Sequence, residues 1–208
     1  MAGGRVIVDL DGTLLDTRRR HHAVYSEAVG ALGQAPLPLR DLWRAKRRGV
    51  GWDLLLGDPR QLGAFFEVWK RRIEAPDMLA LDQLHPGAAR ALRRLRDHGV
   101  QAVLLTARRD PAALEDQLRD LGVRDSLSEV VAVGSGSKAP PPGPPILRWI
   151  GDTEADIEGA RAAGVPVTAV TNGIRTPGLL AKAHPDDLAP SFSAAVTRML
   201  SPPGPGPT

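Results

Sequence analysis

The sequence predicts an α/β fold, a parallel sheet flanked by helices on both faces and interrupted near its start by a small helical insert. Three observations predict it. Strand-like and helix-like segments alternate regularly after Pro86. One isolated apolar run, Arg5 to Leu10, precedes them. Between the two, from Thr17 to about Leu84, apolar residues recur only at helical spacing. Strands that alternate with helices must pair in parallel, because each helix carries the chain back across the sheet.

The elements follow in order. Arg5-Val-Ile-Val-Asp-Leu10 is short, apolar and rich in β-branched residues, so it reads as a buried strand with an acidic tip. Breaks at Pro36, Pro38, Gly57-Asp58-Pro59 and Pro76 divide the next segment into several short helices. Tyr25, Trp43, Trp52, Phe65, Phe66 and Trp69 all fall there and are expected to fill the core of a small bundle. Gly87 to His98 is helical and stops at Gly99. Gln101 to Thr106 is a strand. Pro111 to Leu121 is a helix opened by its proline and closed by Gly122. Glu129 to Val133 and Leu147 to Ile150 are strands, joined by a Pro-rich stretch at 139–145 that cannot be helical. Glu154 to Ala163 is a helix and Val165 to Val170 a strand. The core is thus expected at 1–16 and 85–200 and the helical cap at 17–84. A disordered tail is expected at 201–208, which is almost wholly Pro and Gly.

Composition narrows the function classes. Of 208 residues, 42% are hydrophobic and 25% charged, which is globular rather than disordered. Cysteine is absent, which excludes disulfides, thiolate metal sites and Cys nucleophiles. The net charge of +3 is too small to argue for a nucleic-acid partner. No apolar run approaches a membrane span, and the N-terminus lacks the regions of a signal peptide. The expectation is a cytoplasmic monomer or homodimer with no nucleic-acid or membrane partner.

In open parallel sheets, ligands sit outside the carboxyl ends of the strands. The first strand ends in Asp9-Leu-Asp11-Gly-Thr13, the second in Thr106, and the fourth in Gly151-Asp152 with Asp156 one turn into the next helix. Lys138 follows the third strand. Carboxylates crowded together repel unless a cation sits among them, and oxygen donors without His or Cys favour Mg²⁺. Thr106 and Lys138 suit phosphoryl oxygens. An Asp carboxylate is a competent nucleophile, and a second one two residues on can protonate the leaving oxygen. For Asp152 and Asp156, charge at a helix N-terminus is the competing explanation. Gly134-Ser-Gly-Ser-Lys138 does not have the spacing of a nucleotide phosphate loop.

Val6-Ile-Val-Asp9-Leu-Asp11-Gly-Thr13-Leu-Leu-Asp16-Thr17 resembles the first motif of the haloacid dehalogenase-like superfamily. Val103-Leu-Leu-Thr106, Lys138 and Gly151-Asp152-Thr-Glu-Ala-Asp156 resemble its second, third and fourth, in the expected order. The resemblance implies a Rossmann-like core with a helical cap inserted after the first motif. It implies that Asp9 is nucleophile and metal ligand, and that Asp11 is acid/base and lends its backbone carbonyl to the metal. It assigns Thr106 and Lys138 to the phosphoryl group, and Asp152 and Asp156 to Mg²⁺, the latter directly or through water. One departure stands out. Asp152 lies only fourteen positions after Lys138, and the Pro-rich stretch replaces the longer helical segment of typical relatives.

Within that superfamily, dehalogenases and ion pumps lack an acid at the position of Asp11. A halide leaves without a proton and an alkoxide does not. Asp9 with Asp11 therefore points to phosphate esters; phosphatases being the larger class, the resemblance implies hydrolysis of a small phosphorylated metabolite, such as phosphoglycolate or a sugar phosphate, through an aspartyl-phosphate. A phosphomutase is the alternative, and a non-catalytic phosphate-binding module a more remote one. The run Arg44-Ala-Lys46-Arg47-Arg48 and the triplet Arg18, Arg19, Arg20 read as exposed helix faces, with recognition of an anionic substrate as the alternative. His21 and His22 read as surface residues. Arg108 and Arg109 follow the second motif and are kept out of the expected site, with contact to substrate as the alternative.

Overall fold

The computed structural model describes residues 3–134, 136 and 138–201. Apart from Ser201, the expected disordered tail lies outside these residues. In chain order the elements are β1 (Arg5–Val8), β2 (Leu15–Asp16), α1 (Arg18–Ala31), α2 (Leu39–Arg47), α3 (Trp52–Leu56), α4 (Leu62–Arg72), α5 (Pro76–Leu79) and β3 (Gln83–Leu84). Then come α6 (Ala88–Asp97), β4 (Gln101–Thr106), α7 (Pro111–Asp120), β5 (Glu129–Ala132), β6 (Ile146–Gly151), α8 (Glu154–Ala162), β7 (Val167–Val170), α9 (Pro177–Lys182), β8 (Asp187–Ala189) and α10 (Phe192–Leu200). Six strands form one parallel sheet in the order β5-β4-β1-β6-β7-β8.

Alternation along β1 divides the core between the two faces of the sheet. Val6 and Val8 point to a cluster with Leu92 and Leu95 of α6, Leu114 and Leu118 of α7, and Phe192 of α10. Ile7 points the other way, to Val103, Leu105, Trp149 and Ile157 of α8. Period-two side chains buried on both faces are what a central parallel strand requires.

Helices α1 to α4 carry a third cluster of their own, centred on Tyr25, Val29, Leu42 and Phe65. Trp52 stands 4.8 Å from both Phe65 and Trp69, ring centre to ring centre. The chain enters and leaves these helices through β2 and β3, which pair antiparallel with Leu15 opposite Leu84 and Asp16 opposite Gln83. This pair, two residues a side, has no sequence signal.

Several expectations shift. The last core strand begins at Val167 rather than Val165. Gly164 adopts φ +67, and the Val165 amide turns back to donate to Ala160 O at 3.0 Å, so Val165 closes helix α8. Beyond Val170, α9, β8 and α10 extend the core without having been anticipated. His21 is not a surface residue; it is 7% exposed and lies edge-on between Trp43 and Trp69. Arg20 is not on an exposed face either, being 1% exposed. Burial costs a lone guanidinium heavily, so it must be paired, and its partners lie at the candidate site.

The Pro-rich stretch crosses from β5 to β6 as a strap without a helix. Prolines leave its carbonyls without internal partners. Arg5 supplies one: its Nη2 donates to Pro141 O at 2.6 Å, while its backbone amide donates to Pro145 O at 3.0 Å.

Candidate active site

β1 delivers Asp9 and Asp11 to the carboxyl edge of the sheet. The Asp9 amide still donates to Ile150 O at 3.0 Å, after which Leu10 O accepts from the amides of Leu14 and Leu15 and the chain turns. Gly12 sits in this turn at φ +90. A Cβ there would also collide with the Asp152 carboxylate, so only glycine lets the first turn approach the end of β6. Register places Val8 opposite Leu104, which brings buried Thr106 to the same edge one strand away.

At the end of β6, Asp152 is fully buried. Its Oδ1 accepts from Thr13 Oγ1 at 3.2 Å and its Oδ2 from the Ile174 amide at 2.5 Å. Asp156 completes a capping box with Thr153 at the start of α8, its Oδ2 accepting from Thr153 N at 3.1 Å and Thr153 Oγ1 at 2.7 Å. It therefore serves the helix terminus while its Oδ1 faces the site.

Lys138 reaches the site despite the short link. Its Nζ donates to Asp9 Oδ1 and, at 2.7 Å, to Asp156 Oδ1. Gly159 of α8 lets this happen, because a side chain there would press on Lys138 O and the Trp149 ring, each 3.0 Å from its Cβ. Burial opposes the ammonium charge, but Asp9 and Asp156 outweigh it and push the Lys138 pKa up. The sequence-predicted residues Asp9, Thr106, Lys138, Asp152 and Asp156 thus gather at one sheet edge, with Asp11 beside them.

Carboxylate oxygens of Asp9, Asp152 and Asp156 lie within 4.8 Å of one another. Three carboxylates against one ammonium leave the group short of positive charge. Burial first, then Asp156 and Asp11, push Asp9 up to about 7 against the pull of Lys138. Burial, Asp9 and Asp156 push Asp152 well above the carboxylate range. A divalent cation among these oxygens would relieve both, and the donor set is all-oxygen, as a hard cation prefers.

Asp11 has a different environment. Arg108 Nε donates to its Oδ2 at 2.8 Å and Arg108 Nη2 to its Oδ1 at 2.7 Å, with Arg20 Nη2 also 2.8 Å from Oδ1. Burial works against its charge, but Arg108 and Arg20 outweigh that and hold the carboxyl far below the usual range. Behind them Asp82 accepts from Arg20 Nε at 3.0 Å, Arg108 Nη2 at 3.3 Å and Gln117 Nε2 at 2.9 Å. Sequence reasoning missed this network. Only Arg108 carried a signal, two residues beyond Thr106 at a strand end.

Helices α1 to α5 touch the core on both sides of the carboxylates. On one side Arg47 Nη2 donates to Thr171 O at 2.6 Å, and the Thr176 amide to Arg47 O at 3.0 Å. On the other, Glu74 Oε2 accepts from the amides of Arg109 at 2.9 Å and Asp110 at 3.0 Å. Between them a cleft of about 370 Å³ opens onto Asp11, Arg20, Arg108, Phe66 and Trp69. The basic run on α2 is therefore divided, with Arg44 and Arg48 exposed while Arg47 docks on the core.

Lys46 of the same run has its ammonium 4.5 Å from the Trp52 ring centre. Burial, then Arg175 and Arg20, pull its pKa down from the ordinary 10.5 to about 7. The unfolded chain binds more protons than the folded one between those values, so stability attributable to this group rises with pH from about 7 towards 10.5. Urea unfolding of wild type and Lys46→Met at pH 6.5 and pH 9.5 checks this, wild type gaining on the variant at the higher pH.

Comparison with known proteins adds to this geometry. A family model described as haloacid dehalogenase-like hydrolase matches residues 5–148, and one described as HAD-hydrolase-like matches 147–195. A phosphoglycolate phosphatase of Rhodobacter capsulatus is 28% identical over 205 residues, covering 86% of this chain and 89% of the relative. The plasmid-encoded phosphoglycolate phosphatase of Cupriavidus necator is 28% identical over 217 residues, covering 91% and 90%. Among solved structures, a predicted phosphatase from Clostridium acetobutylicum superposes with a TM-score of 0.76 at 17% identity, over 96% of this chain and 99% of that one. That last likeness concerns the fold alone.

Proposed function

Because the chain belongs to the haloacid dehalogenase-like hydrolase family, we propose that it hydrolyses small phosphate monoesters through a phosphorylated Asp9. The observation that carries this reading is the convergence of Asp9, Lys138, Asp152 and Asp156 at the carboxyl edge of β1 and β6, with Asp11 two residues from the nucleophile. Phosphoglycolate, the substrate named in the relatives above, is the first candidate.

Asp9 attacks phosphorus with its free carboxylate oxygen while Lys138 and Thr106 hold the equatorial phosphoryl oxygens. Asp11 gives a proton to the departing alkoxide and then takes one from the water that cleaves the aspartyl-phosphate. Asp9, Asp152 and the Asp11 carbonyl, with Asp156 behind them, would hold Mg²⁺. Bound there, the ion neutralises the carboxylates and lets an anionic ester approach them. Residues 17–84 act as a cap that closes over the ester and excludes water, consistent with their contacts on both sides of the site.

A panel of phosphate monoesters tests the reading. With Mg²⁺ supplied, the protein is expected to release inorganic phosphate, to lose that activity in EDTA, and to regain it when Mg²⁺ is restored. Conversion of a phosphosugar to an isomeric ester without free phosphate would instead mark a mutase.

A further inference from the structure

Asp11 is clamped through both of its oxygens. Both oxygens accept from Arg108, and Oδ1 is shared with Arg20. A side chain so engaged reaches a leaving oxygen only by giving up the fork. The arginines themselves cannot follow it. Their side chains are 1% and 4% exposed, and both are anchored from behind by Asp82, whose side chain is 0% exposed.

Charge decides what must happen when Asp11 leaves. With Asp11 in place, two guanidiniums face two carboxylates. With Asp11 withdrawn, they face Asp82 alone and one buried positive charge is uncompensated, which is strongly unfavourable. Another oxyanion has to replace it. The planar fork of Arg108 fits a carboxylate or a phosphate in two parallel hydrogen bonds. The cleft that would admit such a group is lined by Asp11, Arg20 and Arg108, with Phe66 and Trp69 as apolar walls.

We propose that Arg20 and Arg108 are specificity-determining residues: a second oxyanion on the leaving group of the substrate takes the place of Asp11 on their fork and so frees Asp11 for the ester oxygen. This rests on the phosphatase reading with Asp11 as acid and base. No covalent bond changes in the exchange; a carboxylate conserves the charge of the cluster, and a phosphate adds negative charge to it. The substrate class is a monoester whose leaving group carries a carboxylate or a further phosphate. A leaving group without one leaves Asp11 locked.

Three matched monoesters test this, with two-carbon leaving groups ending in a carboxylate, a phosphate or an uncharged hydroxyl. Wild type is expected to favour at least one charged ester over the neutral one by about 100-fold in kcat/KM, and the two charged esters show which oxyanion fits. Arg108→Lys keeps the charge but loses the fork, and the preference should shrink to about 10-fold or less. A second arm needs no variant. Millimolar acetate should accelerate hydrolysis of the neutral ester by wild type several-fold, by occupying the fork. Equal rates on all three esters would overturn the inference while leaving the phosphatase reading intact. So would a preference unmoved by Arg108→Lys together with no acetate activation. Release of phosphate from none of them would overturn the phosphatase reading itself.

Discussion

Asp9→Asn is expected to lower turnover of phosphate monoesters by about 10⁴-fold or more without unfolding the protein. The amide is nearly isosteric with the carboxylate, so the buried turn that follows β1 is preserved. What it removes is the nucleophile, and no other carboxylate in the site is placed to substitute. Asp152 is committed to Thr13 and the Ile174 amide, and Asp156 to the terminus of α8. The structural effect should be small or favourable. Burial and neighbouring carboxylates push Asp9 up to about 7, so its charge is under strain in the folded state. Lys138 keeps Asp156 as a partner. Steady-state kinetics beside a thermal melt separate the two effects. Turnover within about tenfold of wild type would exclude Asp9 as nucleophile.

Asp82→Ala should be among the most destabilising single changes in the chain, at about 3–5 kcal/mol. Asp82 receives hydrogen bonds from Arg20, Arg108 and Gln117. Its removal leaves two buried guanidiniums sharing Asp11 alone. In a chain of this length the melting temperature should fall by roughly 10 °C. Urea denaturation checks it directly, and a loss under about 1 kcal/mol would mean that water or a rearranged side chain reaches the arginines. Because Asp82 immediately precedes β3, the damage should centre where the helical segment rejoins the core.

The parallel core was legible because its signals are local. β-branched runs, a proline opening α7, and glycines closing α6, α7 and α8 each mark an element within a few residues. Asp9, Asp11 and Asp152 were legible because they stand at strand ends, where such sheets bind ligands, and Asp156 because it lies one turn into the helix that follows. Arg20 and His21 were not, for a physical reason. The run Arg18-Arg-Arg-His-His22 carries no apolar cue, and Arg20 becomes a core residue only by pairing with Asp82, sixty-two positions away. The β2–β3 pair was invisible at two residues a strand. The Lys138 link was readable as an anomaly but not as a solution. What seats the strap is the clasp of Arg5, from the opposite end of the strand that bears the nucleophile.

The central position of β1 has a consequence for how the molecule is made. Of the strands in the sheet it is the first to be synthesised, yet it pairs on one side with β4, Arg5 opposite Gln101, and on the other with β6, Val6 opposite Arg148. Its edge towards β4 stays open until residue 106 has been synthesised, and its edge towards β6 until residue 151. Helices α1 to α5, whose contacts are local, can condense early, whereas the sheet must wait for distant partners, the slow class of folding event. During that wait an apolar strand with two open edges is the segment most exposed to aggregation and to chaperones.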